Sequence, residues 1–286
     1  MPRHLALFSA FFALVFFSGT ARSQNTSFSY TTIDFPSGEN TRANGISARG
    51  DIVGRYEDLS GAHGFLLSQG TFTALVVPGT ASDEDGPARG INSRGDIVGH
   101  YFDGGGTEHG FLLSRGTITP IDFPGATATE CRGINDQGEI VGSYVDSNGV
   151  RHGFSSSDGT FTAINDPNGI ASRARGINDS GDIVGEYLDK ALLTHGFLLS
   201  RGTFITIDFP GATGTRAGGI SDPDQIVGAY SDGGGTHGFL LNGGVFTTID
   251  DPLGVGATQA RGINARGDIV GAYLDGTGSH GFLATR

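Results

Sequence analysis

Cysteine is almost absent from this chain of 286 residues, in which Cys131 is the only one. A single cysteine allows no disulfide within the chain, so stability must come from the burial of apolar side chains. Basic residues are also scarce, with 18 Lys and Arg against 30 Asp and Glu and a formal net charge of -12. This acidic balance argues against nucleic acid and anionic membranes as partners.

Recognisable catalytic motifs are missing as well. The sequence contains no nucleophile elbow, no Walker loop, no dinucleotide-binding fingerprint and no His-Glu-x-x-His. The glycine runs at residues 104–106 and 233–235 lack the Lys-Ser/Thr of a phosphate-binding loop. No sequence motif therefore predicts an enzyme.

Only one long hydrophobic run occurs, at residues 5–17. It follows Arg3 and precedes small residues that end at Ser23, which is the order of features in a secretory signal peptide. The run is too short to span a bilayer comfortably, so an uncleaved membrane anchor is the less favoured alternative. We predict a signal peptide over residues 1–23 and an exported mature chain, extracellular or periplasmic, that has no membrane contact after cleavage.

Glycine, in contrast, is abundant, with 50 residues spaced periodically between apolar runs. The clearest marker of the period is His-Gly-Phe, whose six copies are separated by 46, 43, 43, 42 and 43 residues. The motifs Gly-Ile-Asn/Ser and Ile-Val-Gly recur with the same spacing. Self-similarity at such an interval is typical of propellers, solenoids and arrays, in which one unit cannot bury its faces without its neighbours.

Each repeat predicts four short antiparallel strands, as at residues 174–178, 182–188, 195–200 and 203–208. The last copy ends after its third strand, and residues 28–35 match the missing fourth strand. The N-terminal strand can therefore complete the blade formed by residues 260–286 and close a ring. We predict an all-β, six-bladed β-propeller over residues 24–286, a single domain with the first strand of each blade along the axis. An open β-solenoid is the alternative.

Polar residues that recur in every repeat are interpreted as scaffold, because a ring normally has one site near its axis. An Asp precedes the His of His-Gly-Phe by five or six residues, and a carboxylate there can accept a hydrogen bond from the imidazole. The alternative, a metal site, is disfavoured because one His and one Asp per blade do not converge on one ion. These structural residues are His63, His109, His152, His195, His237, His280, Asp58, Asp103, Asp146, Asp189, Asp232 and Asp275.

Departures from the repeat are where a specific site is expected. The residue before the glycine of Gly-Ile-Asn/Ser is Arg in four repeats, and Asn44 or Gly218 in the other two. If the first strands line the axis, these arginines form a broken ring that can hold a carboxylate, sulfate or phosphate. The alternative interpretation, which we favour, is that each arginine pairs with a fourth-strand Asp or Asn of a neighbouring blade. The four arginines are Arg89, Arg132, Arg175 and Arg261, and the expected partners are Asp34, Asp122, Asp208, Asp250 and Asn165.

A second variable position follows Ile-Val-Gly in the second strand. Its occupants are Arg55, His100, Ser143, Glu186, Ala229 and Ala272. We interpret this variation as a solvated strand face. The alternative is an acid/base constellation in which His100 and Glu186 carry protons, with Arg55 beside them.

No cofactor and no metal site are predicted. The turn at residues 178–182 resembles a calcium loop only faintly, because it lacks the alternating carboxylates of such loops. Calcium is therefore a minor hypothesis. Cys131 takes the place of alanine in the other repeats, which predicts a small buried side chain.

The pattern Gly-Ile-Asn-x-x-Gly-x-Ile-Val-Gly-x-Tyr followed by His-Gly-Phe resembles the bacterial extracellular HAF-repeat family, with Gly in place of Ala in its His-Ala-Phe. The resemblance implies an exported repeat protein and adds no catalytic residue. The leading hypothesis is a monomeric, non-enzymatic binding or scaffold module for a glycan or a cell-envelope protein. The alternative is an extracellular carbohydrate-active hydrolase, lyase or lactonase with its site at the channel mouth.

Overall fold

The computed structural model describes residues 28–77 and 87–286. Its 24 strands form six four-stranded antiparallel sheets, and no helix occurs in these two ranges. The sheets are the blades of a six-bladed β-propeller, which confirms the predicted fold class. The predicted signal peptide lies outside the described residues, among which no helix is long and apolar enough to cross a membrane.

The first strand, β1 (Ser29–Ile33), belongs to the last blade. Blade one contains β2 (Glu39–Ile46), β3 (Ile52–Asp58), β4 (Gly61–Ser68) and β5 (Thr71–Leu75). Blade two contains β6 (Ala88–Ile91), β7 (Ile97–Phe102), β8 (Glu108–Ser114) and β9 (Thr117–Ile121). Blade three contains β10 (Ala128–Ile134), β11 (Ile140–Val145), β12 (Arg151–Ser157) and β13 (Thr160–Ile164).

Blade four contains β14 (Ala171–Ile177), β15 (Ile183–Leu188), β16 (Thr194–Ser200) and β17 (Thr203–Ile207). Blade five contains β18 (Gly214–Ile220), β19 (Ile226–Ser231), β20 (Thr236–Asn242) and β21 (Val245–Ile249). Blade six contains β22 (Thr258–Ile263), β23 (Ile269–Leu274), β24 (Ser279–Thr285) and the N-terminal β1.

The ring closes through the pairing of β1 with β24. The two strands are antiparallel, with Ser29 opposite Thr285 and Ile33 opposite Gly281. Strand β2 of blade one also packs against β22, β23 and β24 of blade six. The predicted closure by the N-terminal strand is therefore confirmed, and β1 covers the outer edge of β24, so that blade six has four strands like the other blades.

The first strands line the axis and contact one another around the whole ring. The glycine of Gly-Ile-Asn/Ser makes this approach possible, because its neighbour leaves no room for a side chain. A Cβ added to Gly90 would lie 2.7 Å from the carbonyl oxygen of Arg132, and one added to Gly262 would lie 3.1 Å from that of Asn44. The six axial glycines are Gly45, Gly90, Gly133, Gly176, Gly219 and Gly262.

The hydrophobic cores lie between successive blades. The valine of Ile-Val-Gly packs into the core of the following blade, as Val141 does in blade four and Val270 does in blade one. The phenylalanine of His-Gly-Phe is buried opposite the glycine of the second strand, as Phe65 is opposite Gly54. Cys131 is buried in the same way in the core of blade three, as predicted. Each blade therefore completes the core of its neighbour, so the burial of each core depends on the blade beside it.

A β-bulge interrupts the pairing of the first two strands in every blade. In blade three the register shifts between Cys131 and Gly133, so that Arg132 has no partner on β11. The same shift occurs around Asn44, Arg89, Arg175, Gly218 and Arg261. A bulge re-aims the side chain of its extra residue. The variable position of the axial strand is thus the position that the bulge controls.

We expect Gly90→Ala to destabilise the fold, because its Cβ would collide with the backbone of blade three. Overpacking of this kind costs about 1–3 kcal/mol, which lowers the unfolding temperature by several degrees in a domain of this size. Gly104→Ala is the matched control, since a Cβ there meets no atom within 4 Å. Thermal unfolding followed by circular dichroism measures both. Equal unfolding temperatures for the two variants would contradict the assigned role of the axial glycines.

Candidate functional site

The four bulge arginines meet at the axis, where Arg89, Arg132, Arg175 and Arg261 line one cavity of about 220 Å³. Its wall is completed in part by Asn44 and Gly218, which occupy the same position in the other two blades. The cavity lies toward the ring face that carries the loops between fourth and first strands and between second and third strands, here called the loop face. We call the four residues the axial arginine site.

The arginines do not pair with the fourth-strand aspartates, so that prediction is wrong. Glu130 forms salt bridges with two of the arginines. Its Oε2 lies 2.8 Å from a terminal nitrogen of Arg132, and its Oε1 lies 3.5 Å from Nε of Arg89. Glu186 forms a salt bridge with a third arginine, with 2.8 Å between its Oε1 and a terminal nitrogen of Arg175. The partners are thus first- and second-strand glutamates.

Glu130 was missed by the sequence reasoning, although a signal was present. It lies two residues before a bulge arginine, at a position that differs between repeats as much as the predicted site does. The occupants are Arg42, Pro87, Glu130, Arg173, Arg216 and Gln259. Burial raises the pKa of Glu130, but Arg132, Arg89 and the other nearby positive charges outweigh it and hold the pKa well below its usual range. The Glu130 carboxylate is therefore ionised, and the paired arginines neutralise its negative charge.

Arg261 has no carboxylate partner among the salt bridges of the described residues. One terminal nitrogen donates to Oδ1 of Asn44 at 3.2 Å and the other to Oε1 of Gln259 at 2.8 Å, and both acceptors are neutral. Its Nε is buried and without a hydrogen-bond partner. Burial, followed by repulsion from Arg89, Arg42 and the other arginines, pushes the pKa of Arg261 well down. The site therefore holds one uncompensated guanidinium.

The variable position of the second strand does not lie on a solvated face, so that interpretation is wrong. His100 is 6% exposed and Glu186 is 7% exposed, because the neighbouring blade covers them. Nor does the position form one acid/base constellation. Glu186 pairs with Arg175, Arg173 and Arg216, whereas Arg55 forms an ion pair with Glu57. The three weak catalytic candidates Arg55, His100 and Glu186 thus lie on three blades with separate partners.

His100 lies instead between two glutamates. Its Nδ1 is 3.4 Å from Oε1 of Glu130 and its Nε2 is 3.8 Å from Oε1 of Glu108. Burial, and next the charge of Arg89, lowers the pKa of His100 to about 3, so the ring is neutral near neutral pH. A neutral imidazole with two carboxylates has the donor types of a divalent-cation site. The arginines that already neutralise Glu130 oppose a cation there, and the surroundings favour an anion.

The six repeated histidines lie apart, one per blade, on the loop face. Each ring lies 3.0 to 3.5 Å from the predicted Asp through Nε2, from Asp58 in blade one to Asp275 in blade six. In five blades Nδ1 contacts the fourth-strand residue that was predicted to pair with arginine. These pairs are His109 with Asp122, His152 with Asn165, His195 with Asp208, His237 with Asp250 and His280 with Asp34.

The hairpin register explains these second contacts. In blade four, Ser200 pairs with Thr203 and Gly196 with Ile207, so His195 comes opposite Asp208. The two-residue turn, already visible in the sequence, fixes that register. Blade one lacks the second carboxylate, because Val76 occupies the position. The histidines are thus held locally within their own blades.

An imidazole between two carboxylates is stabilised in its protonated form, since both nitrogens then donate. The hydrogen bond to Asp250, 2.8 Å from Nδ1, is the largest influence on His237 and raises its pKa against the opposing effect of burial. For His109 and His280, burial lowers the pKa but the paired carboxylates outweigh it, so the pKa is again raised.

No protein-family model matches the chain, and no curated protein matches it, so the resemblance to the HAF-repeat family stays a prediction. Solved structures of propellers do match. AofleA from Arthrobotrys oligospora superposes with a TM-score of 0.59 at 11% identity, over 96% of this chain and 90% of that one. The Aleuria aurantia lectin in complex with Fucα1-6GlcNAc gives 0.54 at 13% identity, over 88% and 97%. A gluconolactonase from Xanthomonas campestris gives 0.52 at 12% identity, over 86% of each chain. These similarities show the fold alone.

We expect Asp250→Val, which copies Val76 of blade one, to lower the pKa of His237. In the wild type the folded-state pKa exceeds the unfolded value of about 6.5, so the stabilisation is complete below about pH 6.5 and is lost as the pH rises through the folded-state pKa. The variant should therefore lose less stability than the wild type between about pH 6 and about pH 9. Titration of the His237 ring protons by NMR measures the shift, with His109 as an internal control that stays unchanged. An unaltered His237 titration would contradict the assigned contact.

Proposed function

We propose that this protein is an exported, non-enzymatic binding module, and that the axial arginine site holds the anionic group of an extracellular ligand. The observation that carries the proposal is Arg261, a partly buried arginine whose Nε is buried without a hydrogen-bond partner and whose other partners, Asn44 and Gln259, are both neutral. Arginine does not lose its proton in proteins. The unfavourable electrostatic free energy at Arg261 therefore remains until an anion enters.

The charge distribution supports an anionic ligand over a neutral one. The whole chain has a net charge of -12, yet the axial cavity is lined by five arginines when Arg216 is included. Glu130 and Glu186 together offset only part of this positive charge. A recessed positive site on an acidic protein concentrates the field at one point, which favours a single carboxylate, sulfate or phosphate group.

A glycan is the ligand class that the comparisons support, and the axial arginines are the reason to propose an acidic one. One of the similar propellers, the Aleuria aurantia lectin, is a lectin by name, and one of its two structures contains Fucα1-6GlcNAc. Arginine binds carboxylates in a planar, two-point geometry, and uronic acids and sulfated sugars both offer such an anionic group. We therefore propose a glycan with a carboxylate or a sulfate, of matrix or cell-envelope origin, as the ligand.

The hydrolase or lactonase alternative has less support. One similar propeller is a gluconolactonase, and His100 and Glu130 lie side by side near the axis. However, a base with a pKa of about 3 accepts protons poorly near neutral pH, where general bases work best with a pKa close to that of the solution. The remaining candidates, Arg55 and Glu186, are held in ion pairs on other blades.

We expect the wild-type protein to bind methyl β-D-glucuronide and not methyl β-D-glucoside, which has a hydroxymethyl group in place of the carboxylate. Arg261→Asn should weaken binding of the glucuronide about ten- to hundredfold, because a charged hydrogen bond contributes about 1.5–3 kcal/mol. Ligand-observed NMR and calorimetry at low ionic strength measure the affinities, and added salt should reduce them.

Two features of the repeat make this comparison well controlled. Asparagine is already present in the bulge position of blade one, where the Asn44 amide donates to the carbonyl oxygen of Ala88 at 2.9 Å, so Arg261→Asn should fold. Arg201→Gln removes a positive charge far from the axis and copies Gln69, which has the same backbone conformation with φ of 50° against 49°. Equal loss of binding in both variants, or equal binding of the glucuronide and the glucoside, would refute the proposal.

The enzymatic alternative makes a separate prediction. We expect the protein, with or without added divalent cations, to leave the hydrolysis rate of D-glucono-1,5-lactone at that of a heat-denatured sample, measured by acid release at constant pH. A rate that rises with protein concentration and is abolished in His100→Ala would replace the binding proposal with a catalytic one.

A further inference from the structure

Blade five leaves a gap in the ring of large side chains around the axis. Its bulge position is Gly218, and the variable position of its second strand is Ala229. Both residues line the axial cavity together with Gly228. Where the other blades place Arg or Asn on the bulge, blade five has no side chain, so the axial cavity extends toward this blade.

A second cavity of about 190 Å³ adjoins the gap, between blades four and five on the loop face. It shares two wall residues with the axial cavity, Arg216 and Ala229. Its outer wall is formed by Leu192 and Leu193, from the loop between β15 and β16. The wall is therefore cationic near the axis and aliphatic at its outer end.

The two leucines are exposed in a way that the fold does not require. Leu192 is 69% exposed and Leu193 is 49% exposed. Leu192 also has a positive φ of 65°, in the region that favours glycine. Blades two and three have Gly106 and Gly149 in the corresponding loop position, both with φ of 81°.

The loop holds Leu192 in this conformation. Oδ1 of Asp189 accepts hydrogen bonds from the backbone N–H groups of Ala191 and Leu193, each at 2.8 Å. The backbone N–H of Leu192 donates to the carbonyl oxygen of Asp189 at 3.1 Å. Strained backbone that the surrounding structure maintains is typical of functional positions. An aliphatic side chain is thus presented to solvent beside a cationic cavity.

We infer that the ligand carries an aliphatic chain next to its anionic group, and that this chain lies in the cleft between blades four and five against Leu192 and Leu193. The inference rests on the proposed function, since the axial arginine site binds the anionic group. Arg216 lies between the two regions with 53% of its side chain exposed, and its Nε is 3.2 Å from Oε2 of Glu186. This arrangement suits an amphipathic anion that enters from the loop face and places its charge toward the axis.

The shared chemistry has two sources, an alkyl-bearing acidic saccharide and a free alkyl carboxylate. Alkyl β-D-glucuronides from methyl to octyl represent the first source, and n-alkanoates of equal chain length represent the second. Octyl β-D-glucoside is the neutral control. All are titrated into the mature protein below their critical micelle concentrations, with affinity measured by calorimetry.

We expect the affinity to rise about two- to fourfold for each methylene that enters the cleft, since burial of one methylene contributes up to about 0.8 kcal/mol. The double variant Leu192→Gly, Leu193→Thr copies the loop of blade two, with its Gly106 and Thr107, and should fold. It should lose this dependence on chain length while its affinity for methyl β-D-glucuronide is unchanged. Leu253→Asn, which copies Asn168 at an exposed site outside the cleft, should behave as the wild type.

The outcomes separate this inference from the function on which it rests. Binding of methyl and octyl glucuronide with equal affinity would overturn the inference and leave the axial anion site intact. Equal affinity for octyl glucuronide and octyl glucoside would overturn it as well, because the chain would then bind without the anionic group. Absence of binding by the methyl glucuronide and by all alkanoates would refute the proposed function itself. Stronger binding of the glucuronides than of the matched alkanoates identifies the saccharide as the source.

Discussion

The close approach of six backbone strands at the axis is the constraint on which the rest of the structure depends. Each axial glycine lies so near the next first strand that a Cβ would come within 2.7 to 3.1 Å of backbone atoms. The same contact joins Gly262 of blade six to blade one, so closure by the N-terminal strand and packing at the axis are one requirement. With side chains excluded at the glycines, only the residue that precedes them can project into the centre, and a bulge in each blade provides for it.

The residues that repeat in every blade and the residues that vary between blades have different roles. The repeated glycine, valine and phenylalanine build the axis and the cores between blades, and the repeated His and Asp fix the outer loops. Variable residues occupy the bulge, the position two residues before it and the facing position of the second strand, as with Arg132, Glu130 and Ser143. These three positions meet near the axis on the loop face. The residues that make one blade chemically different from another therefore lie together near the axis, at the three positions that vary between repeats.

Most of the fold could be predicted from the sequence, because period, turn length and strand alternation are local properties that repetition makes visible. The partners of the axial arginines could not, since Glu130 reaches Arg89 across a blade boundary that no local pattern specifies. The burial of His100 and Glu186 depends in the same way on how the next blade covers them. The pairing of His195 with Asp208 is different, because the two-residue hairpin turn already placed them opposite each other. The contact between His195 and Asp208 could thus have been predicted from the hairpin turn, whereas the arginine partners and the burial of His100 and Glu186 depend on the packing between blades.

The order of arginine and neutral residues at the six bulge positions explains why one arginine can remain without a carboxylate partner. Arg89, Arg132 and Arg175 lie on three consecutive blades and share Glu130 and Glu186. Arg261 lies on blade six, and the bulge positions of the blades on either side are neutral, Asn44 and Gly218. Because its nearest counterparts carry no charge, repulsion at Arg261 is weaker than it would be in a complete ring of six. The two neutral substitutions thus allow an unpaired cation to persist, and one of them, Gly218, also opens the cavity beside it toward the cleft of blade five.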